Sequence, residues 1–168
     1  MKKLLIVTLA LSIAYPCFAG KLDLMGRAGI YTPPVSGAAP SIMYGVGAEY
    51  GITENLSIRA AADTTSYSDG TNNYTLTPVT VDLIYHQTIQ GMLTPYVGAG
   101  LGYYAYSMNG NTSSTTGLQT EAGVKFALGG FNAGFEIRYL LPDTADASSG
   151  AFTTNGYATG LYSQSFDI

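Results

Sequence analysis

Polar and apolar residues alternate with a period of two over most of the chain after residue 20. Residues 44–52 show this clearly, because Tyr, Val, Ala, Tyr and Ile alternate there with Gly and Glu. A β-strand points successive side chains to opposite faces, so this alternation predicts strands. No long stretch keeps a helical period, and no apolar run reaches the roughly 18 residues of a transmembrane helix.

We predict eight strands, each near the ~9–11 residues with which a tilted strand crosses a membrane. They cover residues 21–31, 42–52, 56–66, 75–86, 94–105, 116–128, 131–141 and 153–168. Short connections at 53–55, 87–93 and 129–130 alternate with longer ones, rich in small polar residues, at 32–41, 67–74, 106–115 and 142–152. This is typical of an all-β, antiparallel, up-and-down barrel. The prolines, including Pro78, are expected in loops or at strand ends, where no ladder donor is lost.

Composition narrows the class of protein further. Only 11% of the residues are charged, whereas a soluble domain has about a quarter, yet 46% are hydrophobic. This balance argues against a disordered chain and against a coiled coil. The net charge of −4 offers no basic surface for nucleic acid, and the single Cys excludes a disulfide within the chain.

The first 19 residues have the pattern of a cleaved Sec signal peptide. Lys2 and Lys3 precede an apolar run over 4–14, and small residues follow at the positions before a cut after Ala19. A lipoprotein anchor at Cys17 is rejected because Pro16 stands where a small residue is needed. We therefore predict a signal peptide at 1–19 and a barrel domain at 20–168.

Alternation alone does not decide which face points inward, because a soluble lipocalin-like barrel also alternates. Three features favour a transmembrane barrel with a polar, plugged interior. No charged residue falls on the apolar phase, where a cation facing lipid would cost roughly 2–4 kcal/mol. Most strand glycines share the polar phase, which suits a narrow lumen. Tyr and Phe also gather toward the strand ends, as in aromatic girdles.

The charges predicted to face the lumen form a candidate ionic network, because a buried charge must be paired. Its members are Arg27, Glu49, Arg59, Asp63, Asp82, Glu121, Lys125, Glu136 and Arg138. We expect Arg138 and Lys125 to meet Glu121, Glu136 or Glu49. Because the acids outnumber the cations, a narrow cation-leaning channel or small porin is the alternative to a closed, structural barrel.

Candidate catalytic chemistry is sparse. His86 is the sole His and follows Asp82 by four residues on the lumen-facing phase. The sequence indicates no serine nucleophile to complete a hydrolase site with this pair. No cluster has metal-ligand spacing, so we predict no enzyme activity, no metal and no cofactor. A lipid-modifying outer-membrane enzyme is kept as the last alternative.

The longer connections could bind a host or surface ligand. Tyr67, Tyr74 and Tyr106 are predicted among Ser, Thr and Asn, a composition that can stack and form hydrogen bonds with a host or surface ligand.

Three segments resemble the small outer-membrane β-barrels of the OmpA/OmpX-like superfamily. Residues 94–103 resemble its signature strand, residues 43–57 its second hairpin and residues 134–139 its seventh strand. The resemblance implies an eight-stranded barrel in a Gram-negative outer membrane, in contact with lipid and lipopolysaccharide, and insertion by the barrel-assembly machinery. It also implies an ion-pair plug, for which a switch between pairs is proposed as a gate. The family usually ends on an aromatic residue, whereas this chain ends on Ile168.

Overall fold

The computed structural model describes residues 21–33, 37–87, 93–128 and 132–142 and the backbone of 156–166. The predicted signal peptide at 1–19 lies outside these residues. The strands are β1 (Leu22–Thr32), β2 (Ser41–Gly51), β3 (Leu56–Ser68), β4 (Asn73–His86), β5 (Leu93–Met108), β6 (Asn111–Ala127), β7 (Asn132–Leu141) and β8 (Gly156–Phe166). In the part of the chain described, no helix has the length and hydropathy needed to cross a membrane.

The eight strands form one closed antiparallel barrel in chain order, with β8 paired back to β1. The prediction of an all-β, antiparallel, up-and-down barrel of eight strands is therefore confirmed. We call the end of the barrel at which β2 leads to β3, β4 to β5 and β6 to β7 the turn end. The opposite end, at which β1 leads to β2, β3 to β4, β5 to β6 and β7 to β8, is the loop end.

Two of the four predicted long loops are wrong. Half of residues 67–74 and all but two of residues 106–115 continue the strands, so that only 69–72 and 109–110 separate β3 from β4 and β5 from β6. Asn109 and Gly110 have φ of 50° and 88°, the positive values that a two-residue hairpin turn requires. The Ser- and Thr-rich flanks therefore pair as a hairpin and form no loop.

Pro78 lies inside β4 and not at a strand end, contrary to the prediction. It is paired with Tyr104 of β5, while the β3–β4 pairing passes from Ala62–Val79 to Thr65–Leu76 without a pair at Pro78. Because proline has no N–H to donate, the ladder with β3 lapses at this point.

The outer wall is apolar, with large exposed side chains such as Ile42, Val46 and Leu101, while eight charged side chains of the strands are buried inside the barrel. The interior is not polar throughout, however. At the loop end it holds a buried cluster, which we call the apolar layer, of Tyr31, Met43, Leu76, Tyr104 and Leu140. The expectation of a polar interior holds in the middle of the barrel and is incomplete at this end.

Candidate functional site

The middle of the barrel brings together charged side chains from six strands. All nine residues predicted for the ionic network lie on the inner face, and eight of them are fully buried, with Lys125 partly exposed. Alternation places them there because each lies on the inward-facing phase of its strand.

Arg59 of β3 is the centre of this network and has no exposed surface. Its Nε donates to Glu49 at 2.9 Å, and its Nη1 donates to Glu121 at 2.8 Å and to Glu136 at 2.6 Å. A single guanidinium thus bridges carboxylates from β2, β6 and β7, which its five N–H donors permit.

Arg27 and Arg138 complete the middle of the network. Arg27 donates to Glu136 at 2.6 Å, and Arg138 donates to Asp63 at 2.7 Å and to Glu136 at 3.0 Å. The structure thus joins Arg138 to two of the acids expected for it, Glu136 and, at 3.7 Å, Glu121, and adds Asp63.

Tyr96 belongs to this cluster although the sequence did not single it out. Its hydroxyl donates to Glu136 at 2.8 Å, and the Arg59 guanidinium lies 4.9 Å from its ring centroid. The available signal was its position on the inward phase of β5, where a large side chain stands among glycines.

Glu49 joins the network to the turn end. Lys125 and Ser57 donate to its Oε1 at 2.8 Å and 2.9 Å, and His86 Nε2 lies 2.8 Å from the same oxygen. Ser57 Oγ also lies 2.9 Å from His86 Nε2. A Ser-His-acid triad uses both ring nitrogens, so two partners on one nitrogen do not reproduce it.

Asp82 stands apart from the arginines. Both of its carboxylate oxygens contact Nε2 of Gln119, across the inward-facing Gly100 that is paired with both residues. No ion pair within 4.0 Å joins Asp82 to a cation among the described residues.

The two ends of the lumen differ. At the turn end a cavity of about 530 Å³ opens among side chains that include Lys21, Asp23, Glu49, His86 and Lys125. At the loop end the side chains of the apolar layer are buried, and Tyr67 and Tyr106 pack against it. Among the described residues, no three His, Cys, Asp or Glu side chains are grouped to hold a metal ion.

The three tyrosines predicted for loops lie in strands instead, because the β3–β4 and β5–β6 turns are short. Tyr67 stacks on Tyr74 with centroids 5.1 Å apart and lies 5.7 Å from Tyr31. Tyr74 donates to Asp69 in the β3–β4 turn at 2.9 Å. Tyr67 and Tyr106 thus pack against the apolar layer, and Tyr74 joins it only through Tyr67.

The strands β3 to β6 extend beyond their neighbours at the loop end. Pairing of β6 with β7 starts at Leu118–Leu141, whereas pairing of β6 with β5 continues to Met108–Asn111. Within the described residues, therefore, no strand pairs with the outer side of residues 111–116, which we call the β6 edge.

Comparison with known proteins agrees with this architecture. The family described as "Outer membrane protein beta-barrel domain" matches residues 43–162. No curated protein sequence is significantly similar to the chain.

Several solved structures share the fold. Neisserial surface protein A is 20% identical, with a TM-score of 0.58 over 89% of this chain and 98% of that one. The N-terminal barrel of Pseudomonas aeruginosa OprF is also 20% identical, with a TM-score of 0.58 over 87% and 98%. Yersinia pestis Ail, in complex with the heparin analogue sucrose octasulfate, is 14% identical, with a TM-score of 0.55 over 88% and 99%.

Proposed function

Because the chain belongs to the outer membrane protein beta-barrel domain family and resides in the cell outer membrane, we propose a structural and surface-interaction role for it. Its Sec signal would be cleaved after Ala19, and the barrel-assembly machinery would insert it with the loop end at the cell surface. The apolar outer wall would then contact membrane lipid and lipopolysaccharide.

The observation that carries the surface role is the β6 edge. Residues 111–116 are Asn, Thr, Ser, Ser, Thr and Thr, and nearly all of them are exposed. Proteins usually protect such an edge with Lys, Pro or a bulge, and none of these residues is Lys or Pro. Within the described part of the chain no strand covers this edge, and an edge of this kind can pair with an extended peptide by adding a strand to the sheet.

The charge distribution favours a peptide over a polyanion. The seven Lys and Arg residues of the chain are Lys2, Lys3, Lys21, Arg27, Arg59, Lys125 and Arg138, so the connections at the loop end contain none. The heparin analogue bound by Ail is heavily sulfated and would find no cation there. Backbone pairing along the β6 edge needs no charge.

Shortening the protruding hairpin tests this proposal. Removing residues 106–107 and 112–113 deletes two paired rungs, Tyr106–Ser113 and Ser107–Thr112, and keeps the alternation and the Asn109-Gly110 turn. Bacteria displaying this variant should lose adhesion to an immobilised reduced and carboxymethylated polypeptide, which offers extended backbone. The matched control replaces Ser113 and Thr112 by Val, which keeps the edge. Equal adhesion of the shortened variant and the intact protein would remove the proposal.

The channel alternative is less well supported. An ion crossing the lumen would have to pass the Arg59 cluster and then the apolar layer, where Leu76, Tyr104 and Leu140 have no exposed surface. This burial supports a lumen that is closed to ions.

A further inference from the structure

The two faces of the β5–β6 hairpin differ at the loop end. On its inner face β5 has Tyr104, Tyr106 and Met108, whereas the outer face of the same stretch has Ala105 and Ser107. Tyr104 belongs to the buried apolar layer, and Tyr106 packs against it. A strand that pairs with the β6 edge would therefore join a hairpin with large apolar side chains on one face only.

The apolar side chains of this inner face become more exposed toward the tip of the hairpin. Tyr104 has no exposed surface, Tyr106 is partly buried and Met108 is 45% exposed. Their paired residues in β6 are, in the same order, Thr115, Ser113 and Asn111. These residues are smaller than their neighbours in β5, and no described strand pairs with them on their other side. Exposed apolar surface thus lies beside the β6 edge.

A strand added to this edge would lie two strand spacings, or about 10 Å, from β5. Its residue opposite Ser113 would point to the inner face, and so would the residue opposite Asn111, two positions away along the added strand. Because Ser113 is small, a large apolar side chain of the added strand can reach across it to Tyr106. The next inward side chain lies in the same way beside Met108. The intervening residues would point to the polar outer face.

We propose that the β6 edge selects extended peptides in which large apolar and polar residues alternate, with the apolar side chains against Tyr106 and Met108. This inference rests on the proposed function, because it concerns the strand that the edge would bind. Backbone pairing provides affinity for any extended peptide, and the contacts of alternate side chains provide specificity. The selectivity comes from apolar surface that is removed from water on the inner face alone.

Two labelled peptides of equal composition and zero net charge test this inference. One is Leu-Thr-Leu-Thr-Leu-Thr and the other Leu-Leu-Leu-Thr-Thr-Thr, both with blocked ends and with the length of the β6 edge. Fluorescence anisotropy with the barrel in lipid vesicles gives the two dissociation constants, and vesicles without protein give the background from lipid. We expect the alternating peptide to bind about tenfold more tightly, a ratio that partial burial of its apolar side chains accounts for.

Two variants remove the apolar surface and keep the backbone edge. Tyr106→Ser and Met108→Thr should each reduce the ratio of the dissociation constants to about threefold or less. Met108 is an exposed side chain, so Met108→Thr remains informative if Tyr106→Ser does not fold. The matched control, Ser107→Ala on the outer face of the same strand, should keep the full ratio.

Equal affinities of the two peptides for the unaltered protein would overturn this inference and leave the proposed function standing, because backbone pairing alone accounts for them. An unchanged ratio in both variants would also overturn it, because the preference would then come from another surface. The variant without residues 106–107 and 112–113 identifies failure of the proposed function itself. If that variant binds both peptides as the unaltered protein does, or if the unaltered protein binds neither, both proposals fail.

Discussion

At the scale of the residue, Arg59 shows how a narrow lumen makes one side chain serve several partners. It has no exposed surface and contacts carboxylates on three other strands. The phase of the alternation was enough to predict that Arg59 faces inward. Its partners could not be predicted, because the alternation carries no information about which strands face each other across the barrel.

Replacing Arg59 by Met should destabilise the barrel by about 3–5 kcal/mol, because Glu49, Glu121 and Glu136 would keep their buried charges without their shared cation. Urea unfolding in vesicles measures the loss. Lys21→Met, at an exposed position, is the control and should change stability by less than about 0.5 kcal/mol. Equal stabilities of the two variants would contradict the central place of Arg59.

Gly100 and Gly26 are a matched pair on opposite faces of the wall. A Cβ at Gly100 would lie 2.6 Å from Cα of Asp82, whereas a Cβ at Gly26 meets nothing within 4 Å. Gly100→Ala should cost about 1–3 kcal/mol through overpacking. Gly26→Ala should be neutral or stabilise by about 0.4–1 kcal/mol. The same unfolding assay compares them, and a neutral Gly100→Ala would argue against this packing.

At the scale of the element, the β5–β6 hairpin decides what the barrel presents at its loop end. Its polar flanks suggested a loop, although Asn109-Gly110 is a strong hairpin signal in the sequence. Above the membrane a strand no longer needs apolar residues facing lipid, so Ser and Thr continue the ladder there. The alternation therefore faded before the strands ended.

The β3–β4 turn makes a prediction of its own through Asp69. The backbone amides of Asn72 and Thr71, with the Tyr74 hydroxyl, donate to this carboxylate and lower its pKa to about 2. Because the pKa is lowered on folding, the turn gains stability above the ordinary Asp value of about 3.9, and this gain is lost as the pH falls through 2.

A carboxyl NMR titration should place the Asp69 midpoint near 2. Tyr74→Phe should raise this midpoint but leave it below the ordinary value, since the two amide donors remain. A midpoint at the ordinary value in the unaltered protein would show that the turn does not form these bonds.

At the scale of the whole molecule, the barrel has an apolar outer wall, an ionic middle and an apolar layer that covers the loop end. The cavity at the turn end reaches Glu49 and Lys125 of the ionic network. The sequence pointed to the first two features through the placement of charge. It missed the third because Tyr31, Leu76 and Leu140 share the inward phase but carry no charge to mark it.

We therefore expect the purified barrel to be silent in planar bilayers at all voltages. Arg59→Met should be silent as well, because the apolar layer is intact in that variant. Incorporation can be checked on gels by the mobility shift between folded and heated protein. Stable conductance steps in the unaltered protein would favour the channel instead.

The sequence by itself determined the eight strands, the face that each turns to lipid and the class of protein, because the two-residue alternation of apolar and polar side chains can be seen in neighbouring residues. Only the tertiary structure decided which side chains contact one another inside the barrel. Arg59 meets Glu136 across 77 positions, and Asp82 meets Gln119 across 37. The first contact exists because the sheet closes, which brings β3 and β7 within side-chain reach across a narrow lumen. The second depends on the register of β4, β5 and β6, which places Asp82 and Gln119 on either side of Gly100. No local sequence pattern encodes that closure or that register.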